Sequence, residues 1–287
     1  MTEYVDWFVD REKQRQGFLK MLAKETPKQI MLVKSPTEMG KTWLIQRMRH
    51  ECQVRSVPAA LFDFRDRLPW DYLTILRQVR DQVGAAAFNA MTDAINNATG
   101  VTVQLDLGKV AVNVDMQNSQ INAGGAVNVG NVNVVVDNFE FVQADSETAR
   151  RNIEIRITDA FFACLLALVA TQTVVFLIDS AEMAPQSTLD WLTANLLTRI
   201  RNQQLPNVIV VMAGQEVPDL DDSWKEEVAR TGLDLFDESH VLEYVTKRGL
   251  TWLDFSTLFR TSGGHPGMLG KMADFANVEK ESDDNWL

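Results

Sequence analysis

Apolar residues along this chain follow three spacings, and each predicts a different element. Phe8, Phe18, Leu19 and Leu22 recur among charged residues over 6–26, the pattern of an amphipathic helix behind an aromatic-rich lead. Short, mainly apolar runs at 29–34 and 58–64, the second ending near Asp63, have the length of buried strands. Between them a loop at 35–42 opens a helical run to about His50. Trp70, Leu73, Leu76, Val79 and Val83 then fall at three- and four-residue steps and predict a helix over 70–95. Strand, loop, helix, strand, helix in that order predicts a parallel sheet covered by helices.

The same alternation resumes after 145. Asp145 or Ser146 is placed to cap a helix over 150–170, which feeds an apolar strand at 173–179. A helix over 187–201 and a strand over 207–214 follow. Beyond Pro218 the chain reads as helical and acidic, with breaks at Gly232, Gly249 and Gly263-Gly264-His265-Pro266-Gly267. The window 160–178 is as long as a membrane span, but Thr171-Gln172-Thr173 divides it and Asp179 closes it. It reads as a buried helix joined to a buried strand.

From Gly100 to Asn138 the pattern changes to period two. Apolar residues alternate with Asn, Gln and Asp, Val-Asn-Val recurs at 112, 127 and 132, and Gly108, Gly124-Gly125 and Gly130 interrupt the runs. Such alternation broken by glycine predicts short strands joined by tight turns, a β insertion on the edge of the core. Its uncharged strands leave edges able to pair with another chain or with a second copy.

Composition narrows the function classes. The 287 residues are 46% apolar and 23% charged, ordinary globular usage, with a net charge of −11. That acidity argues against a general nucleic-acid coat, which needs a surplus of Lys and Arg. The charge is uneven: residues 1–80 carry +5 and the remainder −16. Cys52 and Cys164, without CxxC spacing, read as core thiols of a reducing, cytoplasmic compartment, and the first residues lack the basic and apolar regions of a secretory signal.

The candidate chemistry begins at Ser35-Pro36-Thr37-Glu38-Met39-Gly40-Lys41-Thr42, which fits G-x-x-x-x-G-K-[ST] except for Ser35 in place of the first glycine. In that pattern backbone N–H groups at a helix start wrap a phosphate, Lys41 reaches the terminal phosphates and Thr42 binds Mg²⁺. With Trp43 these residues form a candidate nucleotide cradle. The apolar strand ending in Asp179 supplies a carboxylate to hold the metal's water shell. Ser180 follows it, and Glu182 is the nearest carboxylate available to orient an attacking water, so hydrolysis is expected to be slow or conditional.

Phe8-Val9-Asp10-Arg11-Glu12, Met39-Gly40-Lys41-Thr42, Phe176-Leu177-Ile178-Asp179-Ser180-Ala181-Glu182, Val211-Met212-Ala213-Gly214-Gln215-Glu216-Val217-Pro218 and Gly263-Gly264-His265-Pro266 occur in this order. Together they resemble the STAND class of signal-transduction P-loop ATPases, which includes the NACHT and apoptotic-ATPase proteins, over about residues 5–95 and 145–275. The resemblance implies an α/β P-loop NTPase fold of AAA-like type, with helices on both sheet faces and a small helical lid. It places Val9, Asp10, Arg11 and Pro266 by the adenine, and Gln215 at a sensor position usually held by Arg, where it brings no charge to the γ-phosphate. Only 21 residues follow Pro266, so the winged helix and sensor repeats usual in the class are expected to be missing.

The expected organisation is 1–99 and 139–218 as the two parts of the NTPase domain, 100–138 as the insertion and 219–287 as lid and tail. The expected function is an ATP-Mg²⁺ switch, binding ATP or ADP, that acts on a protein partner or a homo-oligomer, without membrane or nucleic acid. The alternatives are a non-hydrolysing scaffold working through its insertion and, disfavoured by charge, a DNA-handling AAA-type ATPase. Arg47, Arg49, Arg55, Arg65 and Arg67 are expected to meet solvent or a neighbouring subunit's acidic lid, with Glu226, Glu227, Asp234, Asp237 and Glu238 as candidate partners.

Overall fold

The computed structural model describes residues 6–99, 103–106, 111–114, 120–122, 126–129, 132–135 and 147–284. In chain order the first elements are α1 (Glu12–Leu22), β1 (Ile30–Lys34), α2 (Lys41–Val54), β2 (Ala59–Asp63), α3 (Tyr72–Val83) and α4 (Asn89–Thr99). Five short strands follow: β3 (Val103–Asp106), β4 (Ala111–Val114), β5 (Gln120–Asn122), β6 (Ala126–Val129) and β7 (Val132–Val135). Next come α5 (Glu147–Val169), β8 (Val174–Asp179) and α6 (Gln186–Trp191), which continues through a π-helical stretch, Leu192–Leu197, into α7 (Thr198–Arg201). The chain then forms β9 (Val208–Gly214), β10 (Val228–Thr231), α8 (Glu238–Lys247), α9 (Phe255–Ser262) and α10 (Pro266–Asp284).

The chain divides into two compact units, 1–78 with 172–287, and 79–171. The first is built on a parallel sheet in the order β10-β1-β9-β8-β2. Every residue of β8 and β9 is buried, which requires cover on both faces. Alternation assigns the faces. Met31, Val33, Val175, Leu177, Ile209 and Val211 pack with Phe18 and Met21 of α1 and Leu44, Ile45 and Met48 of α2. Phe62 and Phe176 point the other way, stacked with ring centroids 6.2 Å apart, and Trp70 meets Phe62 edge-on. A separate cluster joins Val9 to Val241, Tyr244 and Val245 of α8, Leu258 of α9 and Leu269 and Ala273 of α10.

In the second unit Phe88 stacks on Phe161 of α5 at 5.5 Å. The insertion forms antiparallel strands, β3 with β4 and β5-β6-β7 as a three-stranded sheet. The rest of 100–138, and the cap expected at 145 or 146, lie outside the described residues.

Two sequence expectations are corrected. The helix over 70–95 breaks at Gly84, whose φ of +142° leaves the helical region and restarts the chain through a 3₁₀ turn, Ala85–Phe88. The helical reading after Pro218 misses β10, which pairs with β1 along the sheet edge. The window 160–178 divides into the end of α5 and the strand β8, and among the described residues no helix is long and apolar enough to cross a membrane.

Candidate functional site

The loop between β1 and α2 carries the phosphate pattern, and its shape follows from its residues. Glu38 and Gly40 adopt left-handed φ angles of +59° and +89°, turning the chain sharply into α2. Gly40 caps α2 without a side-chain hydrogen bond, no acidic residue occupies the first turn, and a Cβ at Gly40 would meet open space. The helix start thus presents N–H groups with no side-chain acceptor, the arrangement that receives an anion. Ser35 serves without a left-handed angle. Its backbone N–H donates to the Gly214 carbonyl at 3.1 Å, and its hydroxyl accepts from the Leu233 N–H at 2.6 Å, tying the loop to β9 and to the exit of β10.

Lys41 is buried and donates to the carbonyls of Ser35 at 2.7 Å and Pro36 at 2.5 Å. Burial lowers its pKa, against the opposing pull of Glu182 and Asp179. Pro36, Thr37 and Glu38 are exposed, Met39 is buried, and Trp43 lies half-buried in the first turn of α2.

Parallel pairing brings the strand ends together. β2 and β8 pair in a register that sets Asp63 beside Asp179. Asp179 is 2% exposed, and burial raises its pKa, opposed by a hydrogen bond from the Thr42 hydroxyl and by the Arg65 charge. Its Oδ1 accepts the Ser180 N–H at 2.9 Å and its Oδ2 accepts Arg65 Nη2 at 3.2 Å. Arg65 is anchored on Asp63 through Nε at 2.8 Å and Nη2 at 2.5 Å. Burial works to raise the Asp63 pKa, but the bonds from Arg65 bring it below the usual carboxylate value. A hydroxyl and a carboxylate in contact at the head of an uncapped helix are oxygen donors suited to a hard divalent cation, so the residues fit magnesium with phosphate.

Glu182 and Gln215, the two candidate catalytic residues, meet directly. The Gln215 N–H donates to Glu182 Oε2 at 2.9 Å and its side-chain Nε2 donates to Oε1 at 3.2 Å. Gly214 allows this, since a Cβ there would lie 2.7 Å from Glu182 Oε2.

This is a P-loop NTPase fold. It rests on the five-stranded parallel order, with β1 an inner strand and the loop at its C-terminal end. No protein-family model matches the chain, and no curated protein matches it. Solved structures resemble it at low identity. A STAND protein with a tetratricopeptide-repeat sensor from Pyrococcus horikoshii shares 11% identity at a TM-score of 0.46, over 91% of this chain and 29% of its own. The Thermotoga maritima RuvB Holliday-junction branch-migration motor shares 10% at 0.43, over 95% of this chain and 65% of its own. A chain of the Escherichia coli HORMA:CdnC:Trip13 complex shares 12% at 0.44, over 91% and 76%. The chain therefore spans less than two thirds of the first two.

In this P-loop chain Arg11, from the N-terminal end, and the start of α10 touch the loop residues Met39 and Glu38. Arg11 is buried and donates to the carbonyls of Asp234 at 2.8 Å and Met39 at 3.0 Å, and to Asp10 at 2.6 Å, over the Phe236 ring. Val9 packs in the α8–α10 cluster. Pro266 opens α10, where a missing N–H costs nothing. The next residue, Gly267, donates its N–H to the Glu38 carbonyl at 2.9 Å, and Lys271 reaches the Glu38 carboxylate at 2.5 Å.

The sequence reading missed Asp63 and the site position of Arg65. A signal was present, since both Phe62-Asp63 and Ile178-Asp179 end apolar runs. Arg65, half exposed, faces Asp63 and Asp179 in its own chain, and Arg47 and the exposed Arg55 pair with Glu51.

Proposed function

We propose that the chain is an ATP-Mg²⁺-binding switch of the STAND type that hydrolyses slowly or conditionally and passes its state to a protein partner or a further copy. The observation that carries this reading is the contact of Thr42 with Asp179 beside the desolvated Lys41, at the uncapped start of α2. Thr42 and Asp179 are the residues that would hold magnesium, which when bound supplies positive charge to the phosphate oxygens. Lys41 binds the terminal phosphates, and its release from the Ser35 and Pro36 carbonyls accompanies binding. Val9, Asp10, Arg11 and Pro266 border the adenine in this reading. Glu182 orients the attacking water, with Gln215 positioning its carboxylate. The contact of Gly267 with Glu38 links occupancy of the loop to α10.

Binding of a fluorescent ATP analogue with magnesium tests the site. Lys41→Ala is expected to weaken it by about 10- to 100-fold, the loss of a charged hydrogen-bond donor. Unchanged affinity would overturn the assignment.

A second reading, a nucleotide-stabilised scaffold without hydrolysis, is favoured by the Glu182–Gln215 pair, because both carboxylate oxygens already accept bonds. Phosphate release separates the two. A measurable rate that Glu182→Gln abolishes supports the enzyme, and a wild-type rate at the buffer baseline selects the scaffold.

A further inference from the structure

The strands between 103 and 135 contain the same unit twice. In β3–β4, Gln104 faces Asn113, Leu105 faces Val112 and Asp106 faces Ala111. In β5–β6, Gln120 faces Asn128, Ile121 faces Val127 and Asn122 faces Ala126. The rungs match position for position: amide on amide, aliphatic on valine, Asp or Asn on alanine. The second strands, β4 and β6, are the identical tetrapeptide Ala-Val-Asn-Val. The units differ at their second edge. β6 carries a third strand on its other edge, with Val127 opposite Val134, Asn128 opposite Asn133 and Val129 opposite Val132. Among the described residues β4 has β3 as its one partner.

We propose that the second edge of β4 pairs antiparallel with β4 of a second copy of this chain, Asn113 opposite Asn113 across a two-fold axis and Val112 opposite Val114. The template is internal. β6 and β7 pair Val-Asn-Val 127–129 with Val-Asn-Val 132–134, and the triplet reads alike in both directions. Antiparallel pairing of 112–114 with its own copy therefore reproduces those rungs.

In an antiparallel ladder a residue can stand opposite its own copy on either kind of rung, hydrogen-bonded or not, so the backbone admits the two-fold pairing at Asn113. A slip by one residue would set Asn113 against valines. Residues 111–114 also lack the charges and prolines by which edge strands refuse partners. The contact is isologous and closes at two copies.

This pairing does not rest on the nucleotide reading. Sedimentation equilibrium of the full chain is expected to give twice 32.4 kDa at micromolar concentration. Asn113→Lys sets like charges opposite each other and is expected to give 32.4 kDa, while Asn113→Gln keeps the dimer. An unchanged far-ultraviolet circular dichroism spectrum of Asn113→Lys shows that the chain is folded, so its mass reports on the edge alone. Should that variant fail to fold, a cysteine decides. Opposite residues lie about 4.5–5.5 Å apart at Cα, within disulfide range, so Asn113→Cys is expected to form a covalent dimer on mild oxidation. Gln104→Cys, whose rung partner is in its own chain, is expected to stay monomeric on a denaturing gel. A wild-type mass of 32.4 kDa, a dimer that survives Asn113→Lys, or no cross-link at 113 would overturn the proposal.

Discussion

The phosphate loop is held from two sides, and the sides are built differently. Toward the sheet, besides the Ser35 N–H on the Gly214 carbonyl, the contacts are made by side chains at strand ends: Thr42 on Asp179, Arg65 bridging Asp179 and Asp63, Gln215 on Glu182. Toward the C-terminal helices backbone carbonyls accept most of them, beside the Lys271 side chain on the Glu38 carboxylate. Gly267 gives its N–H to Glu38, Arg11 reaches the Met39 carbonyl, and Phe236 donates to the Gly264 carbonyl at 2.8 Å. The first side depends on strand register, which the two-faced core fixes. The second depends on missing Cβ atoms, which let α10 and its preceding turn come close.

The largest effect is expected from breaking the platform beneath the first side. Phe176 is 1% exposed and stacks on Phe62, so Phe176→Ala removes a ring from the centre of β8. A loss of about 3–5 kcal/mol is expected in denaturant unfolding. A loss below about 1 kcal/mol would show that the strand ends are held by something other than this core.

The helical side is tested at Gly264, whose φ is +73° and where a Cβ would lie 2.0 Å from the Phe236 carbonyl oxygen. Gly264→Ala is expected to cost about 1–3 kcal/mol, from strain and displacement of the 234–236 segment that Arg11 grips. Gly249→Ala is the control, because its φ is +68° but its surroundings are open. Equal costs at the two glycines would mean that close approach contributes nothing.

The smallest expected effect has the opposite sign. Burial raises the Asp179 pKa above its unfolded value, so the ionised carboxylate costs stability at neutral pH, and the cost fades as pH falls through the folded value. Asp179→Asn is therefore expected to raise the melting temperature at neutral pH, with the gap to wild type closing in acid. A lower melting temperature at neutral pH would show that the bonds from Thr42 and Arg65 outweigh the burial.

Much of the sheet side was legible along the chain because its signals are local. The loop 35–42 lies between an apolar run and a helical one, and Asp179 ends an apolar strand. Arg65 was not legible as a site residue, since its place depends on β2 lying beside β8 in a register that ends both strands together. β10 escaped for a related reason. It is a four-residue edge strand in which only Val228 is fully buried, so no alternation marks it. On the helical side Gly264 and Pro266 stood out as a break, but the loop residue they approach did not, because Glu38 lies far away in sequence.

The sequence by itself determined which segments are apolar on both faces, where the phosphate loop sits, and that residues 100–138 alternate with period two. Those features depend on the few residues next to them, through rotamer preference, turn chemistry and burial of adjacent side chains. Only the tertiary structure decided which carboxylates share the site, that Glu182 and Gln215 bind each other, and that α10 begins against Glu38. These contacts join residues 33 to more than 200 positions apart, and strand order and helix packing, rather than local preference, bring them within hydrogen-bond reach.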